Sequence, residues 1–367
     1  MTRIAIGAIT RTIGGPATYA VELVRALGER RTPGLEYTVL TDGPEAFADM
    51  PVAVEHLPLR TPWMQPLWDH VLVPRALRRV GADLYHGTKN VVPLGCRSPA
   101  VVTIHDLAVY HHPESFALAQ RWHLRAETPH AARAACAIVT VSEHAAADLR
   151  ARFPRFAAKV RTVPNGVSAR FRPVTDPAAL QEFRARHGLG GGPLVAYLGT
   201  LQPRKNVELL AAAFARAAPA LPGAELVLAG RIRPGYRPAL PRERVRLIGP
   251  LAASELPLFY GSASVLVNPS SYEGFGLTLV EAMACGCPVI ALRRSAVPEV
   301  TGDAALLVDE ASAEALARAL IAMVGTPATA ATYRALGLLR ATEFSWTRAA
   351  AAVEQVYLET MNAATAR

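Results

Sequence analysis

Short apolar runs alternate along this chain with longer amphipathic segments. The apolar runs predict six strands before a turn at Asn165-Gly166 and six more after it. The first six are 4–9, 37–40, 84–86, 100–104, 137–141 and 160–163, and the second six are 194–198, 225–229, 245–248, 264–267, 288–291 and 305–308. Helical patterns lie between them, for example at 18–27, 207–217, 277–284 and 312–323. This alternation is typical of βαβ units, in which helices cover both faces of a parallel sheet.

The two successive sets of strands predict an α/β protein with two Rossmann-like domains that face each other across a cleft. We expect the first domain over residues 1–170 and the second over 171–345, followed by a final helical segment that begins at Trp346. A length of 367 residues agrees with two domains. Ligands of such sheets bind beyond the C-terminal ends of the strands, so the substrate site is expected in the cleft.

Composition narrows the class of protein. Hydrophobic residues make up 51% and charged residues 19%, which excludes a disordered or fibrous chain. The net charge of +9 is spread over both halves, and only Lys89, Lys159 and Lys205 among the 39 basic residues are lysines. No Lys/Arg run resembles a nucleic-acid-binding tail, so no nucleic-acid partner is expected.

The cysteines and apolar segments indicate the compartment. Cys96, Cys136, Cys285 and Cys287 lack the spacing of zinc ligands and are interpreted as buried thiols in a reducing environment. The apolar run at the N-terminus is too short for a signal peptide, and no apolar stretch reaches the roughly 20 residues that span a bilayer. We expect a cytoplasmic protein, attached at most to the inner membrane surface.

The most informative segment follows the strand at 264–267. A loop with the sequence Glu273-Gly-Phe-Gly leads into a helix that begins near Leu277. The two glycines let the backbone approach a ligand, and the helix start supplies free N–H groups for a phosphate. Glu281 lies one turn into the helix, where its carboxylate suits the vicinal hydroxyls of a ribose. A plain glycine turn with a surface glutamate is the alternative, but this order of acids, glycines and helix start favours a ligand site.

A second segment places two cations at the end of a strand. The strand at 194–198 ends at Gly199, and Arg204 and Lys205 precede the next helix. An ordinary solvated pair is the alternative, but cations at a helix start oppose the helix dipole and need another reason to be there. We interpret them as ligands of a diphosphate. Because Lys205 would line an open cleft, we expect Lys205→Ala to leave folding nearly unchanged.

Two weaker signals lie in the first half. Gly14-Gly15-Pro16 opens a helix, although a plain strand-to-helix turn explains it nearly as well. His105 and Asp106 end the strand at 100–104, and His86–Asn90 end the strand before it. A lone histidine is usually a satisfied polar residue, but at this edge of the sheet His105 could contact a sugar hydroxyl or the reacting centre.

Together these segments resemble the retaining glycosyltransferases of family 4, which have the GT-B fold, and in particular the mannosyltransferase-like branch. The strongest part is the signature of two glutamates separated by seven residues, here Glu273 and Glu281. The other matching blocks are 103–107, 141–143, 164–167, 198–206 and 297–309. The resemblance covers nearly the whole chain. It implies that the first domain is on the acceptor side and that the segment 346–367 crosses back to it.

The resemblance also implies roles for single residues. Glu273 and the amides of Gly274–Gly276 would hold the hydroxyls of the donor sugar, and Glu281 would hold the ribose. Arg204 and Lys205 would hold the diphosphate together with the amides that begin the helix. The implied donor-binding residues are Gly15, Gly199, Arg204, Lys205, Glu273, Gly274, Phe275, Gly276, Leu277, Thr278 and Glu281. The implied catalytic residues are His105, Arg204, Lys205 and Glu273.

The implied activity is transfer of a sugar from a GDP-mannose-like or UDP-linked donor to a hydroxyl acceptor. The transfer would retain the anomeric configuration of the sugar and would need no metal. The nucleotide sugar is a co-substrate, and no other cofactor is expected. The acceptor could be a lipid-linked glycan, a natural product or a small sugar. Gln202 and Arg293-Arg294 depart from the family pattern and leave the choice of donor and acceptor open. The alternatives are a GT-B epimerase, a phosphorylase, and a non-catalytic protein that binds nucleotide sugars.

Overall fold

The computed structural model describes residues 1–11, 14–59, 61, 64–241 and 243–365. Its contacts divide the chain into two units, Met1–Gly166 together with Ser345–Arg367, and Val167–Phe344. The sequence pattern set the boundary between domains at residue 170. Val167 instead donates a backbone hydrogen bond to the Phe344 carbonyl (3.3 Å), and the Phe171 ring packs against Tyr260, so residues 167–170 belong with the second unit.

The first unit contains a parallel sheet of seven strands. The strands are β1 (Thr2–Ala8), β2 (Leu35–Thr41), β3 (Ala53–His56), β4 (Leu84–Gly87), β5 (Ala100–Ile104), β6 (Ala137–Thr140) and β7 (Val160–Thr162), in the spatial order β3-β2-β1-β4-β5-β6-β7. The helices are α1 (Gly15–Arg30), α2 (Gln65–Leu67), α3 (Val73–Val80), α4 (Ala108–His111), α5 (Leu118–Ala134), α6 (Glu143–Arg152) and the last helix, α14 (Trp346–Thr365). The strand order reverses between β1 and β4, which is where ligands of such sheets bind.

The second unit contains a parallel sheet of six strands. The strands are β8 (Leu194–Leu198), β9 (Glu225–Ala229), β10 (Val245–Gly249), β11 (Val265–Asn268), β12 (Val289–Leu292) and β13 (Leu306–Val308), in the order β10-β9-β8-β11-β12-β13. The helices are α7 (Pro177–Arg186), α8 (Val207–Ala217), α9 (Leu256–Ser262), α10 (Leu277–Ala284), α11 (Val297–Thr301), α12 (Ala313–Gly325) and α13 (Pro327–Ala341). Here the order reverses between β8 and β11.

All twelve predicted strands are present, and their bounds differ from the predicted ones by at most two residues. The sequence pattern missed β3, a short strand at the edge of the first sheet. Its residues Ala53–His56 are exposed or half-buried, so this strand lacks the apolar run by which the others were identified. The prediction of two Rossmann-like sheets is confirmed.

Each sheet is held in place by apolar side chains from its helices. In the second unit α8 and α12 pack together over the sheet, and Leu210, Phe214, Leu316 and Leu320 are almost fully buried there. Burying one such side chain stabilises the folded state by about 1.5–3 kcal/mol. These contacts fix the strands, and with them the loops at the strand ends. Among the described helices, none alone has the length and apolar composition needed to cross a membrane, and α12 with α13 passes only as a pair bent by 93°.

The last helix, α14, is attached to the first unit by a buried carboxylate. Glu354 is 3% exposed and accepts hydrogen bonds from Arg30 Nε (2.8 Å), Thr32 Oγ1 (2.9 Å) and Tyr37 Oη (2.8 Å). One turn further on, the hydroxyl of Tyr357 lies 2.6 Å from His86 Nδ1. The helix therefore contributes polar contacts to the interior of this unit as well as an apolar face.

We expect Glu354→Ala to lower the free energy of unfolding of this unit by about 3 kcal/mol, because it removes the acceptor of a buried phenol, Tyr37, and of the partly exposed cation Arg30. Urea denaturation measures this change. The matched control is Glu359→Ala on the same helix, whose side chain is 60% exposed and pairs with Arg161 at 3.5 Å. Exposed pairs of this kind contribute about 0–1 kcal/mol. Equal losses in the two variants would contradict the role of Glu354.

Candidate functional site

The candidate site of the second unit lies where the strand order reverses. The neighbouring strands β8 and β11 both end here, and each is followed by one of the predicted segments. Asn206 Nδ2 donates to the Pro269 carbonyl (3.0 Å), and the Ser271 amide donates to the Arg204 carbonyl (2.9 Å). These bonds join the loop after β8 to the loop after β11. The sheet therefore brings together two segments that are far apart in the sequence.

Glu273 is the centre of a charged cluster. Lys205 Nζ donates to Glu273 Oε1 at 2.5 Å, and Arg204 Nη1 lies 3.7 Å from Glu273 Oε2. Asn268 Nδ2 donates to the same Oε1 at 3.2 Å, while Arg204 Nη1 also donates to the Tyr272 carbonyl at 2.6 Å. The side chains of Arg204, Lys205 and Glu273 are 14%, 15% and 10% exposed. Two cations and one anion thus share a sheltered space.

The surroundings keep Glu273 ionised. Burial by itself disfavours the carboxylate, but the positive charges of Lys205 and Arg204 outweigh burial and lower the pKa of Glu273 to about 2. At neutral pH the carboxylate can therefore accept hydrogen bonds but has no proton to give. It also compensates only one of the two adjacent cations. The cluster retains a positive charge that suits an anion.

The contacts of Lys205 correct one expectation. The sequence suggested an open cleft and a side chain whose removal would leave folding unchanged. Lys205 is instead mostly buried and paired with a buried carboxylate. Removing one partner of such a pair leaves a charge without compensation, so folding is expected to suffer.

The helix α10 begins beside this cluster. Its N-cap is Gly276, in the left-handed conformation with φ 96°, and no side chain caps the helix start. The amides of Leu277 and Thr278 belong to the first turn and have no carbonyl partner within the helix. Helix starts of this kind bind phosphate groups through such amides and the positive end of the dipole. Phe275 is 5% exposed, and its ring packs edge-on against Phe344 (5.6 Å). The ring therefore stabilises the loop, and a ligand would contact the backbone of Phe275.

Glu281 lies one turn into α10 in a different environment from Glu273. It is 7% exposed, and Tyr260 Oη donates to its Oε2 at 2.8 Å. Burial raises the pKa of Glu281 to about 7, although the bond from Tyr260 and the charge of Arg170 act in the opposite direction. The pKa of Glu273 is thus lowered and that of Glu281 raised, because Lys205 and Arg204 outweigh burial at Glu273 while burial dominates at Glu281.

A small pocket at the ends of β8 and β11 is lined by Lys205, Glu273 and Thr278. All three belong to the segments predicted to bind the donor. Asn268 and Ser270 line the same pocket, but no sequence motif pointed to them. Their position directly after a buried strand is the signal that could have identified them. Ser295 also supports the site, because its hydroxyl accepts a hydrogen bond from the Glu273 amide (2.7 Å). Neither Ser295 nor Tyr260 lies in a motif, so the sequence carried no signal for them.

Gly199, predicted to contact the donor, directly follows β8. Its φ of 153° lies in the region that favours glycine, and its amide donates to the Ala229 carbonyl at 3.0 Å. A side chain at this position would meet the hydroxyl of Tyr197 at 3.0 Å. Gly199 thus allows the chain to leave the strand toward Arg204.

His105 and Gly15, the other predicted site residues, belong to the first unit. His105 Nε2 lies 2.8 Å from the Thr88 carbonyl, which only accepts, so Nε2 carries the proton. Burial lowers the pKa of His105 to about 4, which leaves the ring neutral at pH 7 with Nδ1 as an acceptor. The ring packs edge-on against Tyr19 (4.8 Å). Gly15 is exposed at the start of α1, and the preceding residues 12 and 13 lie outside the described part of the chain.

Within the described ranges, no group of three or more His, Cys, Asp or Glu side chains is placed to hold a metal ion. The polar groups gathered at β8 and β11 are cations, amides and one ionised carboxylate. This set of groups can bind a diphosphate and the hydroxyls next to it.

Comparisons with known proteins agree with this geometry. Residues 13–171 match the family model described as Glycosyltransferase Family 4, and residues 192–325 match the model described as Glycosyl transferases group 1. The chain is 18% identical to HepE of Anabaena, whose crystal structure contains UDP and glucose. The two structures superpose with a TM-score of 0.75 over 97% of this chain and 99% of HepE. This likeness shows the fold.

Curated relatives are similar over shorter ranges. The O-antigen chain mannosyltransferase B of Escherichia coli is 29% identical over 74% of this chain and 73% of its own length. A GDP-mannose-dependent alpha-(1-6)-phosphatidylinositol monomannoside mannosyltransferase of Mycobacterium tuberculosis is 34% identical over 45% of this chain and 46% of its own length. The chain spans about half the length of several other curated relatives that it matches.

The family models cover both Rossmann-like units, and the two glutamates of the family signature stand at the site just described. The chain belongs to the group 1 glycosyltransferases of family 4 and has the GT-B fold.

Proposed function

We propose that this protein transfers a sugar, with retention and without a metal, from a nucleoside-diphosphate sugar to a hydroxyl acceptor. The observation that carries the proposal is the cluster of Arg204, Lys205 and Glu273 beside the start of α10, with Glu281 one turn further along the helix. A nucleoside diphosphate needs cations and amides for its phosphates and a carboxylate for its ribose. A donor sugar needs further acceptors for its hydroxyls.

The cations supply the main catalytic effect. Breaking the bond between sugar and phosphate leaves negative charge on the diphosphate and positive charge on the sugar ring. Arg204, Lys205 and the first-turn amides of α10 stabilise the departing diphosphate. One such donor contributes about 3–4 kcal/mol of transition-state stabilisation. Two cations and a helix start can therefore replace the metal ion that other enzymes use for this task.

Glu273 binds the donor sugar in this proposal. Its low pKa excludes it as a general acid at neutral pH, because the carboxylate has no proton to donate. Its pairing with Lys205 and Arg204 also withdraws charge from the carboxylate and makes it a poor nucleophile. Retention then follows from attack on the same face of the sugar that the diphosphate leaves. The departing phosphate oxygen accepts the proton of the acceptor hydroxyl.

His105 assists as a neutral hydrogen-bond acceptor. Its Nε2–H is committed to the Thr88 carbonyl, and Nδ1 is left to accept from a sugar hydroxyl. Because burial keeps the pKa at about 4, the ring adds no positive charge next to a sugar that becomes cationic. We infer that His105 orients the donor sugar.

The relatives suggest which donors to test first. The two mannosyltransferases described above include one that is named as dependent on GDP-mannose, and HepE was crystallised with UDP and glucose. We therefore propose GDP-mannose first and UDP-glucose second. The test is a panel of GDP- and UDP-sugars, in which release of the nucleotide is followed with and without an acceptor. Binding without release from any donor would favour the non-catalytic alternative.

The two glutamates should divide the donor between them. We expect Glu281→Ala to weaken binding of both the free nucleoside diphosphate and the whole donor, because both contain the ribose. Glu273→Ala should weaken binding of the whole donor relative to that of the free nucleoside diphosphate, because it removes an acceptor for sugar hydroxyls and leaves both cations, now without the carboxylate, for the phosphates. Calorimetric titration with GDP, UDP and the intact donors measures both effects, and Glu314→Ala, at an exposed side chain, serves as the control. Equal losses for both ligands in both variants would contradict this division.

A further inference from the structure

A buried network of hydrogen bonds runs through the interior of the first unit. The hydroxyl of Tyr357 on α14 lies 2.6 Å from His86 Nδ1 on β4, and His86 Nε2 lies 2.8 Å from Thr103 Oγ1 on β5. Thr103 Oγ1 lies 3.0 Å from the hydroxyl of Tyr19 on α1. Each of the four side chains is at most 1% exposed. The network therefore connects the last helix of the unit to the first one.

The network can keep only a narrow range of arrangements. Burial lowers the pKa of His86 to about 3, so its ring is neutral, with one nitrogen that donates and one that accepts. The ring can therefore bond to Tyr357 and to Thr103 at the same time. Any movement that breaks one of these bonds leaves a buried polar group unsatisfied, so the network fixes the side chains that form it. None of the four side chains has a role in the transfer steps proposed above.

The ring of Tyr19 connects this network to His105. It packs edge-on against the His105 ring, with 4.8 Å between the centroids and 87° between the planes. It also packs against Trp346, the first residue of α14, at 5.9 Å. Contacts between aromatic rings at these distances and angles are attractive. The helix α14 thus holds Tyr19 at two points, directly through Trp346 and through Tyr357 by way of the network.

The contact with Tyr19 gives His105 a second constraint besides its hydrogen bond. The bond from Nε2 to the Thr88 carbonyl holds one corner of the ring, but the ring can still turn about that bond. Edge-on packing against Tyr19 opposes this rotation and sets the direction in which Nδ1 points. A functional group must be held within about 0.5 Å and 10–20° of its productive geometry. A ring that is itself fixed in the interior gives His105 this accuracy.

We propose that Tyr19 is a positioning residue, which holds the His105 ring in the orientation that the donor sugar requires, and that α14 holds Tyr19 in turn. The inference rests on the proposed function, because it concerns how the first unit orients the donor sugar. Tyr19 acts through His105 and need not contact the sugar. The helix α14 then contributes to the use of the donor as well as to stability.

Replacement of Tyr19 tests this role by its effects on the donor and on the free nucleotide. Tyr19→Leu removes the ring, and we expect kcat/KM for GDP-mannose or UDP-glucose to fall about ten-fold, the effect of one misplaced hydrogen bond. Tyr19→Phe keeps the ring and removes only the hydroxyl, so the loss should be about three-fold. The affinity for free GDP or UDP should be unchanged in both variants, because neither ligand contains the sugar. Equal losses for the donor and the free nucleotide would mean that Tyr19 acts only on the fold, which would overturn the inference.

A double variant shows whether Tyr19 acts through His105. His105→Ala should lower kcat/KM at least as much as Tyr19→Leu does, and the double variant should lose no more than His105→Ala alone. Losses that multiply would mean that the two residues act independently, which contradicts a positioning role. The matched control is Tyr37→Phe, which removes another buried hydroxyl of the same unit, bonded to Glu354 on α14 at 2.8 Å. It should leave kcat/KM unchanged.

The His105 ring can also be observed directly by NMR in the free protein. In proton–nitrogen correlation spectra of ring-labelled histidine, assigned with the His105→Ala variant, we expect the unaltered chain to show the proton on Nε2. The His105 signals should shift in Tyr19→Leu and in Tyr357→Phe, which breaks the network at α14, and should keep their positions in Tyr37→Phe. Unchanged His105 signals in the first two variants would overturn the inference. Absence of nucleotide release in the unaltered chain would instead contradict the proposed function, because the spectra do not depend on turnover.

Discussion

Lys205→Ala should lower kcat by about two to three orders of magnitude, the usual effect of removing one electrostatic donor from a developing anion. Lys205 carries one of the two cations of the cluster, and its ammonium group lies beside the proposed diphosphate site. The measurement is nucleotide release at saturating donor, so that weaker binding does not mask the chemical step. Wild-type kcat in this variant would show that Lys205 does not stabilise the leaving group.

The same substitution should destabilise the second unit. Glu273 loses a charged partner at 2.5 Å and keeps Asn268 at 3.2 Å and the more distant Arg204. Breaking a buried pair by removing one partner costs about 3–5 kcal/mol, and the slight exposure of this pair favours the lower value. Urea denaturation measures the loss. Arg216→Ala is the control, because Arg216 pairs with Glu314 on the surface and both side chains are more than half exposed.

A double variant separates the two effects of Lys205. Lys205→Ala with Glu273→Gln removes the ammonium and the carboxylate together, while Arg204 keeps its hydrogen bond to the Tyr272 carbonyl, and we expect most of the lost stability to return. The turnover should stay low, because the cation is still absent. Recovery of turnover together with stability would mean that Lys205 acts only through folding.

The fold could be predicted from the sequence because most of its strands are buried on both faces. Strands of this kind consist of short apolar runs, and β5, β8 and β9 were predicted with their observed bounds. The exposed edge strand β3 has no such run and was missed. The order of the strands in each sheet could not be predicted in this way, because it depends on contacts between segments that are distant in the sequence.

The candidate site shows the same limit. The motifs named Lys205 and Glu273 separately, but their contact depends on β8 and β11 being neighbours in the sheet. Nor could the sequence show that the pKa of Glu273 is lowered and that of Glu281 is raised. Both are glutamates beside glycines and a helix start, and the difference arises from burial, from the two cations near Glu273 and from Tyr260 near Glu281. These are properties of the packed interior.

The raised pKa of Glu281 predicts a substitution that stabilises the fold while it weakens function. In the folded chain the carboxyl keeps its proton up to about pH 7, whereas the unfolded chain releases it near 4.5. Between these values the folded state binds more protons than the unfolded state, so stability falls as the pH rises. A shift of this size corresponds to about 3 kcal/mol, which is fully lost above pH 7.

Glu281→Gln removes this titration and keeps an acceptor for the Tyr260 hydroxyl. We therefore expect it to raise the free energy of unfolding by up to about 3 kcal/mol at pH 8 and to change it little at pH 4. It should also weaken GDP and UDP binding about ten-fold at pH 8, because a neutral amide accepts the ribose hydroxyls less strongly than a carboxylate does. Urea denaturation and nucleotide titration at both pH values, with Glu314→Gln as the surface control, measure the two effects. An equal stability change at pH 4 and pH 8 would show that Glu281 does not titrate in this range, and unchanged nucleotide affinity would remove its assignment to the ribose.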